Sequence, residues 1–350
     1  MIDLTSSRGV KSPVLVADQI DWLRDYSATK VGHLLGMSNR QLAAVDPLVM
    51  NLLVAKDLPS LASLDISRYQ ETVNQWTEDF LSRCLPHWEP HFYDAPQDFD
   101  NHLGLFRLGM VCQYLDLEIG ITYIPEQRNV KKILYTNPSH LFLNGLIDTR
   151  TGTCGNMPAL HVAIAWRLGW PVSLTSIGTH FLCRYDDGKS IFNIETTDTG
   201  RGGWSTPDDA TLIARENISS RAIACGSELR ALTHREMLAC FIALRARHLQ
   251  DLGQFHQQEH LRLAAEQEWL LARSIFPSQR LFYQNQMACS ALRGDLCFDP
   301  NEPGHPLTFV QFLSQLYGRH PIGPADFHLS GDLTSPSLTS IDAHFRSSKG

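Results

Sequence analysis

One stretch, residues 149–200, constrains the fold of this 350-residue chain more than any other. A turn of small residues, TGTCGN, leads into an apolar run with helical spacing that stops at Gly169, which predicts a buried helix. Three segments typical of strands follow, 172–177, 180–185 and 190–197, and an Asp-Asp-Gly turn between the last two indicates a hairpin. The stretch therefore predicts one helix packed on a small antiparallel sheet.

Three side chains of this stretch suit acyl transfer through a thioester. Cys154 immediately precedes the predicted helix, His180 opens one strand and Glu195 closes the next. Free amides and the positive end of the helix dipole favour a thiolate at Cys154, and a nearby imidazolium favours it further. His180 and Glu195 are neighbours across the predicted hairpin, so the carboxylate can orient the ring. The spacing predicts a triad of Cys154, His180 and Glu195.

The block RTGTCGNMPALHVAIAWRLGWPV, GTHFLCRY and FNIETTDTG resembles the transglutaminase-like (papain-related) superfamily. Within it, the block is similar to the SirB1-type proteins, which join such a domain to tetratricopeptide repeats. The resemblance implies that Cys154 is the nucleophile, His180 the general base and acid, and Glu195 the orienting carboxylate. The family more often has Asp-Pro-Thr where this chain has Glu195 and two threonines, so Asp198 is a second candidate for the carboxylate.

Three further residues are candidates for stabilising the oxyanion or for lining the substrate cleft. The superfamily often supplies an oxyanion donor shortly before the nucleophile, which makes Asn137 and Asn144 candidates beside the backbone amide of Cys154. Capping and turn hydrogen bonds are the alternative role for both asparagines. Trp204, in a glycine-rich loop after Glu195, is predicted to form an apolar wall of the cleft, with packing on its own scaffold as the alternative.

A metal site built from Cys154, His161, His180 and Cys183 lacks the paired spacing of metal ligands, so we predict neither a metal nor another cofactor. The remaining cysteines are expected to be buried and unreactive. They are Cys84, Cys112, Cys183, Cys225, Cys240, Cys289 and Cys297.

The whole chain is predicted to have an α+β fold with four parts. Residues 1–125 form a helical N-terminal region, 126–228 the transglutaminase-like core, 229–325 a helical region and 326–350 a flexible tail. In the third part, 34 residues from Ala246 to Gln279 have small and large residues spaced as in a tetratricopeptide repeat, with helices over 235–245 and 280–293 stacked on it. The spaced positions are Leu249, Leu252, Gly253, Ala265, Trp269, Ala272 and Pro277.

The composition of the chain limits the classes of binding partner and the cell compartment that we expect for it. A hydrophobic share of 43% and a charged share of 19% are typical of a globular protein. The net charge of −7 provides no basic field for nucleic acid, so we expect no nucleic-acid partner. We find no signal-peptide pattern and no apolar stretch of membrane-spanning length, and the scattered cysteines do not form a disulfide framework. These features predict a cytoplasmic protein without a membrane partner.

The sequence therefore predicts a cysteine-dependent acyl-transfer enzyme that acts on amide bonds of a peptide or protein. Water as the second nucleophile would make it a peptidase or amidase, and an amine would make it a transglutaminase. The alternative is a non-catalytic scaffold, in which the transglutaminase-like fold is retained and the repeat-like helices bind a protein partner.

Overall fold

The computed structural model describes residues 31–128, 130, 133–197 and 204–292, with the backbone of two short paired strands at Cys297–Phe298 and Pro306–Leu307. Helices predominate and the sheets are small, which confirms the α+β prediction. Asp198 and the predicted tail over 326–350 lie outside the described residues.

The N-terminal region is helical, as predicted. Its central element is the helix Pro47–Lys56, which begins where the Asp46 side chain accepts a hydrogen bond from the Leu48 amide (2.8 Å). This helix is buried on nearly all sides, because its sequence is apolar around its whole circumference. A π-helical segment at Phe80–Cys84 joins two of the other helices. The helices are Val31–Gly36, Asn39–Ala43, Pro47–Lys56, Ile66–Asp79, Leu85–Asp94 and Leu103–Leu117.

The middle of the chain packs the predicted helix against the predicted sheet. The helix is Met157–Arg167, and it contacts the two strands that follow it, β3 (Val172–Ile177) and β4 (His180–Asp186). Strand β5 (Ile191–Ile194) completes an antiparallel sheet of order β3-β4-β5. Gly169 has a positive φ of 70°, the conformation expected of a glycine that ends a helix. The smaller elements are parallel strands β1 (Thr122–Tyr123) and β2 (Thr151–Gly152), and helices Leu143–Thr149, Asp209–Glu216 and Ser220–Ala224.

Three helices pack side by side at the C-terminal end of the described chain: His234–Phe255, Glu259–Ile275 and Arg280–Leu292. A separate helix over 235–245 was predicted, and that prediction is wrong. A capping box of Thr233 and Glu236 starts one helix of 22 residues, and no breaker interrupts it near residue 246. Gly253 lies where the first two helices approach closely, since a Cβ atom there would be 3.1 Å from the backbone nitrogen of Arg262.

One hydrophobic core includes side chains from the N-terminal, middle and C-terminal parts of the described chain. Two buried arginines add ion pairs between these parts. Arg167, at the end of the helix after Cys154, pairs with Asp46 at 2.5 Å. Arg245 pairs with Asp57 at 2.9 Å and with Glu268 at 2.6 Å. The C-terminal helices therefore pack as part of the same unit as the helix that follows Cys154.

No helix of the described part of the chain has both the length and the apolar character needed to cross a membrane.

Candidate functional site

Cys154 lies in a turn that directly precedes the helix Met157–Arg167, and its side chain is partly exposed. The buried side chain of Asn156 holds this turn. Its Oδ1 accepts a hydrogen bond from the Thr153 amide (2.8 Å), and its Nδ2 donates to two carbonyl groups of segment 139–142 (3.2 and 3.3 Å). The Thr153 hydroxyl donates to a third carbonyl of that segment at 2.7 Å. The polar residues on both sides of the cysteine therefore fix where its sulfur lies.

The amide of Cys154 itself donates no hydrogen bond to any residue that the structure describes, whereas the next amide, of Gly155, donates to the Thr153 hydroxyl (3.1 Å). A backbone N–H without a partner beside a nucleophile is what an oxyanion hole requires.

His180 is the first residue of β4, directly after a two-residue turn at Gly178 and Thr179. Gly178 has a φ of 61°, which a tight hairpin needs and which glycine adopts without strain. The His180 ring is 22% exposed, and its Nε2 lies 2.6 Å from Oε2 of Glu195. Because Nε2 is engaged by Glu195, Nδ1 remains for another partner, and the ring also interacts electrostatically with Cys154.

Glu195 follows the last residue of β5 and is only 4% exposed. Its Oε1 accepts hydrogen bonds from the amide (2.9 Å) and the hydroxyl (2.6 Å) of Thr197, while Oε2 contacts His180. Burial opposes the charged form, but the hydrogen bonds from His180 and Thr197 outweigh it and hold the pKa of Glu195 below its ordinary value. Arg215 adds a positive charge 3.7 Å from Oε2.

The pKa of His180 is shifted in the opposite direction. Burial of the ring favours the neutral form, but the interactions with Cys154 and with Glu195 are together larger and raise the pKa to about 10. A raised pKa makes the ring a better proton acceptor, as transfer of a proton from a thiol requires. The site is therefore arranged for an imidazolium held between a sulfur atom and a carboxylate.

Tyr135 is the residue of this site to which the sequence assigned no role. Its side chain lines the same cavity as Cys154, and burial together with the charge of Cys154 raises the pKa of Tyr135 well above its ordinary range. The Tyr135 amide donates to Oδ2 of Asp251 (2.9 Å), and its carbonyl accepts from Nδ1 of His248 (2.8 Å). No local pattern signals these contacts, because the two partners lie more than a hundred residues away in sequence.

The structure does not bring every predicted site residue to the cysteine. Oδ1 of Asn137 accepts from the Ser139 amide (3.0 Å), which is a turn hydrogen bond. Asn144 is buried in the helix Leu143–Thr149, and its Oδ1 has no partner within the described chain. Trp204 packs on the N-terminal helix Leu103–Leu117, where a Cβ atom at Gly109 would lie 2.6 Å from the indole ring. None of the three lines the cleft beside Cys154.

That cleft lies between the start of β4 and the C-terminal helices and is partly open to solvent. Cys154 and Tyr135 line it together with apolar side chains from all three C-terminal helices, among them Leu244, Trp269 and Phe282. A concave, mostly apolar cavity beside a nucleophile is typical of a small-molecule or side-chain binding site.

The other cysteines and the alternative metal ligands lie elsewhere. Within the described ranges, no three His, Cys, Asp or Glu side chains are grouped so as to hold a metal ion. His161 contacts the Met157 carbonyl through Nδ1 (2.8 Å), and burial lowers its pKa to about 4. The Cys183 thiol contacts the Pro158 carbonyl (3.4 Å).

Five cysteines are buried as predicted: Cys84, Cys112, Cys183, Cys240 and Cys289. The prediction is wrong for Cys225, which is exposed. It follows the short helix Ser220–Ala224, of which Ala222 is the one buried residue. The side chain of Cys297 lies outside the described residues.

A comparison with curated proteins and one with solved structures both give no match. Residues 128–242 match a family model described as the transglutaminase-like superfamily, and this range includes Tyr135, Cys154, His180 and Glu195. The narrower SirB1-type resemblance and the repeat-like character of the C-terminal helices stay predictions. The chain thus contains a transglutaminase-like superfamily domain over residues 128–242.

Proposed function

We propose that this protein is a cysteine-dependent acyl-transfer enzyme that cleaves amide bonds through a thioester, with Cys154, His180 and Glu195 as its triad. The observation that carries the proposal is the position of the His180 ring, which interacts with Cys154 and, through Nε2, with a buried carboxylate at 2.6 Å. An imidazole between a thiol and an orienting carboxylate is the arrangement that nucleophilic catalysis needs.

In the proposed mechanism, His180 takes the thiol proton and Cys154 Sγ attacks the carbonyl carbon of the amide. Two donors stabilise the oxyanion: the unpartnered Cys154 amide and the Tyr135 hydroxyl, which replaces the two asparagines as the side-chain candidate. When the C–N bond breaks, the imidazolium gives its proton to the leaving nitrogen, and a thioester remains. Glu195 holds the ring orientation through both proton transfers.

The second half-reaction decides the class of enzyme. His180 takes a proton from water or from an amine, which attacks the thioester carbon and releases Cys154. The first acceptor makes a peptidase or amidase and the second a transglutaminase. Both need a reduced thiol, and the seven cysteines of the described chain are free, so a reducing compartment such as the cytoplasm is part of the proposal.

A second candidate function is a protein-interaction scaffold of the SirB1 type, in which the C-terminal helices bind a peptide or protein. Three exposed apolar side chains on these helices favour it: Phe255, Leu263 and Leu270.

Labelling with iodoacetamide near neutral pH tests the first proposal against the second. Cys225 is the internal control, because it is exposed while Cys154 is only partly exposed. Burial raises the pKa of the Cys84, Cys112, Cys183 and Cys240 thiols, which keeps them unreactive.

We expect peptide mass spectrometry to show Cys154 labelled at least about tenfold faster than Cys225. In the His180→Ala variant we expect that preference to be lost. Faster labelling of Cys225 in the native chain, with no effect of the variant, would favour the scaffold.

A further inference from the structure

We propose that the acyl group accepted by this site is uncharged and apolar, either arylalkyl or alkyl, and that it binds in the cleft between Cys154 and the C-terminal helices. The inference rests on the proposed function and adds the substrate class to it.

The walls of the cleft provide the first argument. Leu141 and Phe181 lie on the side of the transglutaminase-like domain, and Leu244, Trp269, Leu281 and Phe282 lie on the side of the C-terminal helices. Trp269 and Phe282 are almost fully buried, and their ring centroids are 5.9 Å apart. The indole N–H of Trp269 donates to Oε1 of Gln250 (2.8 Å), so the ring has its polar atom already bonded. The surface that these walls leave exposed in the cleft is mostly apolar, so they favour an apolar ligand over a polar one.

The charges around the cleft provide the second argument. Of the described residues that line it, Arg247 is the one with a permanent charge. Its Nε donates to the buried carboxylate of Asp251 (2.7 Å), and its guanidinium lies 5.5 Å from the ring centroid of Tyr135. Because Asp251 already balances this charge, a carboxylate on the acyl group would lose its hydration in the cleft without gaining a counter-ion.

Two neutral polar side chains of the lining, Asn285 and Ser176, are also bonded within the protein. Nδ2 of Asn285 donates to the Leu281 carbonyl (2.9 Å), and the Ser176 hydroxyl accepts from Nε2 of Gln279 (3.1 Å). The cleft therefore selects by apolar contact and shape more than by hydrogen bonds. Each additional methylene group that is buried there is expected to increase the acylation rate about fourfold.

A series of p-nitrophenyl esters tests the inference on the full native chain. The butanoate, hexanoate and 3-phenylpropanoate esters vary the apolar group, and the hemisuccinate ester has the same acyl chain length as the butanoate but ends in a carboxylate. The rate of nitrophenol release gives acylation, intact mass identifies the adduct, and the Cys154→Ala variant gives the background. We expect the hexanoate and phenylpropanoate esters to acylate Cys154 about tenfold faster than the butanoate ester, and the hemisuccinate ester at least tenfold more slowly.

A charged substitution in the wall provides a second test. Leu281→Lys introduces a cation into the cleft, and we expect it to increase the hemisuccinate-to-butanoate rate ratio at least about tenfold. Leu270→Lys is the matched control, since Leu270 is 43% exposed on the neighbouring helix and does not line the cleft. We expect this control to keep the native ratio.

Equal rates for the hemisuccinate and butanoate esters in the native chain, or no gain with chain length, would overturn the inference. So would selective iodoacetamide labelling of Cys154 without acylation by any ester, a result that leaves the proposed function standing. Loss of both selective labelling and acylation would instead contradict the proposed function. If Leu281→Lys fails to fold, the p-nitrophenyl ester series on the native chain still decides the inference.

Discussion

The two walls of the cleft are built in different ways. The wall that contains Cys154 belongs to the same continuous stretch as His180 and Glu195, and the polar groups of that stretch are linked by short hydrogen bonds. The opposite wall is apolar and is assembled from three helices that begin after residue 230. In the proposed function, the first wall would supply reactivity and the second would supply selectivity.

One segment connects the two walls. Tyr135 belongs to the transglutaminase-like domain, yet Asp251 and His248 of the first C-terminal helix hold its backbone. Arg247 of the same helix lies over its ring. The helical wall is therefore expected to influence reactivity through this tyrosine, and the following predictions test how separate the two roles are.

The largest expected effect is the fall in the acylation rate of Cys154 in the His180→Ala variant. Removing a general acid and base typically costs a factor of about 10² to 10⁴, so acylation of Cys154 by a neutral ester should fall at least about a hundredfold. His260→Ala, an exposed histidine of the C-terminal helices, is the control and should retain the native rate. Equal losses in the two variants would contradict the assigned role.

Among substitutions in the helical wall, Asp251→Ala should lower the unfolding free energy most. It leaves the guanidinium of Arg247 and the amide of Tyr135 without this partner, and breaking a buried ion pair costs about 3 to 5 kcal/mol. Urea unfolding measures the loss. Arg68→Ala, which removes a solvent-exposed pair with Asp148, is expected to cost less than about 1 kcal/mol. Similar losses of unfolding free energy in both variants would show that the contacts of Asp251 do not stabilise the fold more than an exposed ion pair does.

Tyr135→Phe tests the connection between the walls while keeping the aromatic ring. Loss of one oxyanion donor should slow acylation by on the order of tenfold to a hundredfold, with little change in the unfolding free energy. The control is Tyr93→Phe, since Tyr93 is 66% exposed and distant in sequence from the domain. An unchanged acylation rate in the Tyr135→Phe variant would show that the helical wall does not influence reactivity through this tyrosine.

The smallest expected effect is on the pH dependence of stability. The pKa of Glu195 is held below its unfolded value of 4.5, so the folded state binds fewer protons than the unfolded state as the pH falls through this range. The stabilisation by this carboxylate is present above about pH 5 and is lost as the pH falls through the lowered pKa. The difference in unfolding free energy between the native chain and Glu195→Gln should therefore shrink below about pH 4.5.

Denaturant unfolding from pH 3 to 7 measures that difference, with the exposed Glu71→Gln as the control variant. A difference that stays constant over the whole range would show that Glu195 is not stabilised as a carboxylate.

Local patterns account for what could be predicted. The glycine-rich turn, the apolar run and the Asp-Gly hairpin signal are short-range features, and they were enough to predict the helix after Cys154 and the strands that place His180 near Glu195. Two of the predictions were wrong. Cys225 is exposed because only one side of its short helix is buried, and residues 235–245 continue into the next predicted helix.

The sequence alone determined the α+β fold class, the nucleophile candidate and the order of the three reactive groups, because each depends on contacts between residues close in the chain. Only the tertiary structure placed Tyr135 beside the sulfur, moved Trp204 away from the cleft and built the apolar wall from the C-terminal helices. The contacts that hold Tyr135 and Trp204 in these positions join residues about a hundred positions apart, and they follow from how the helices pack into one core.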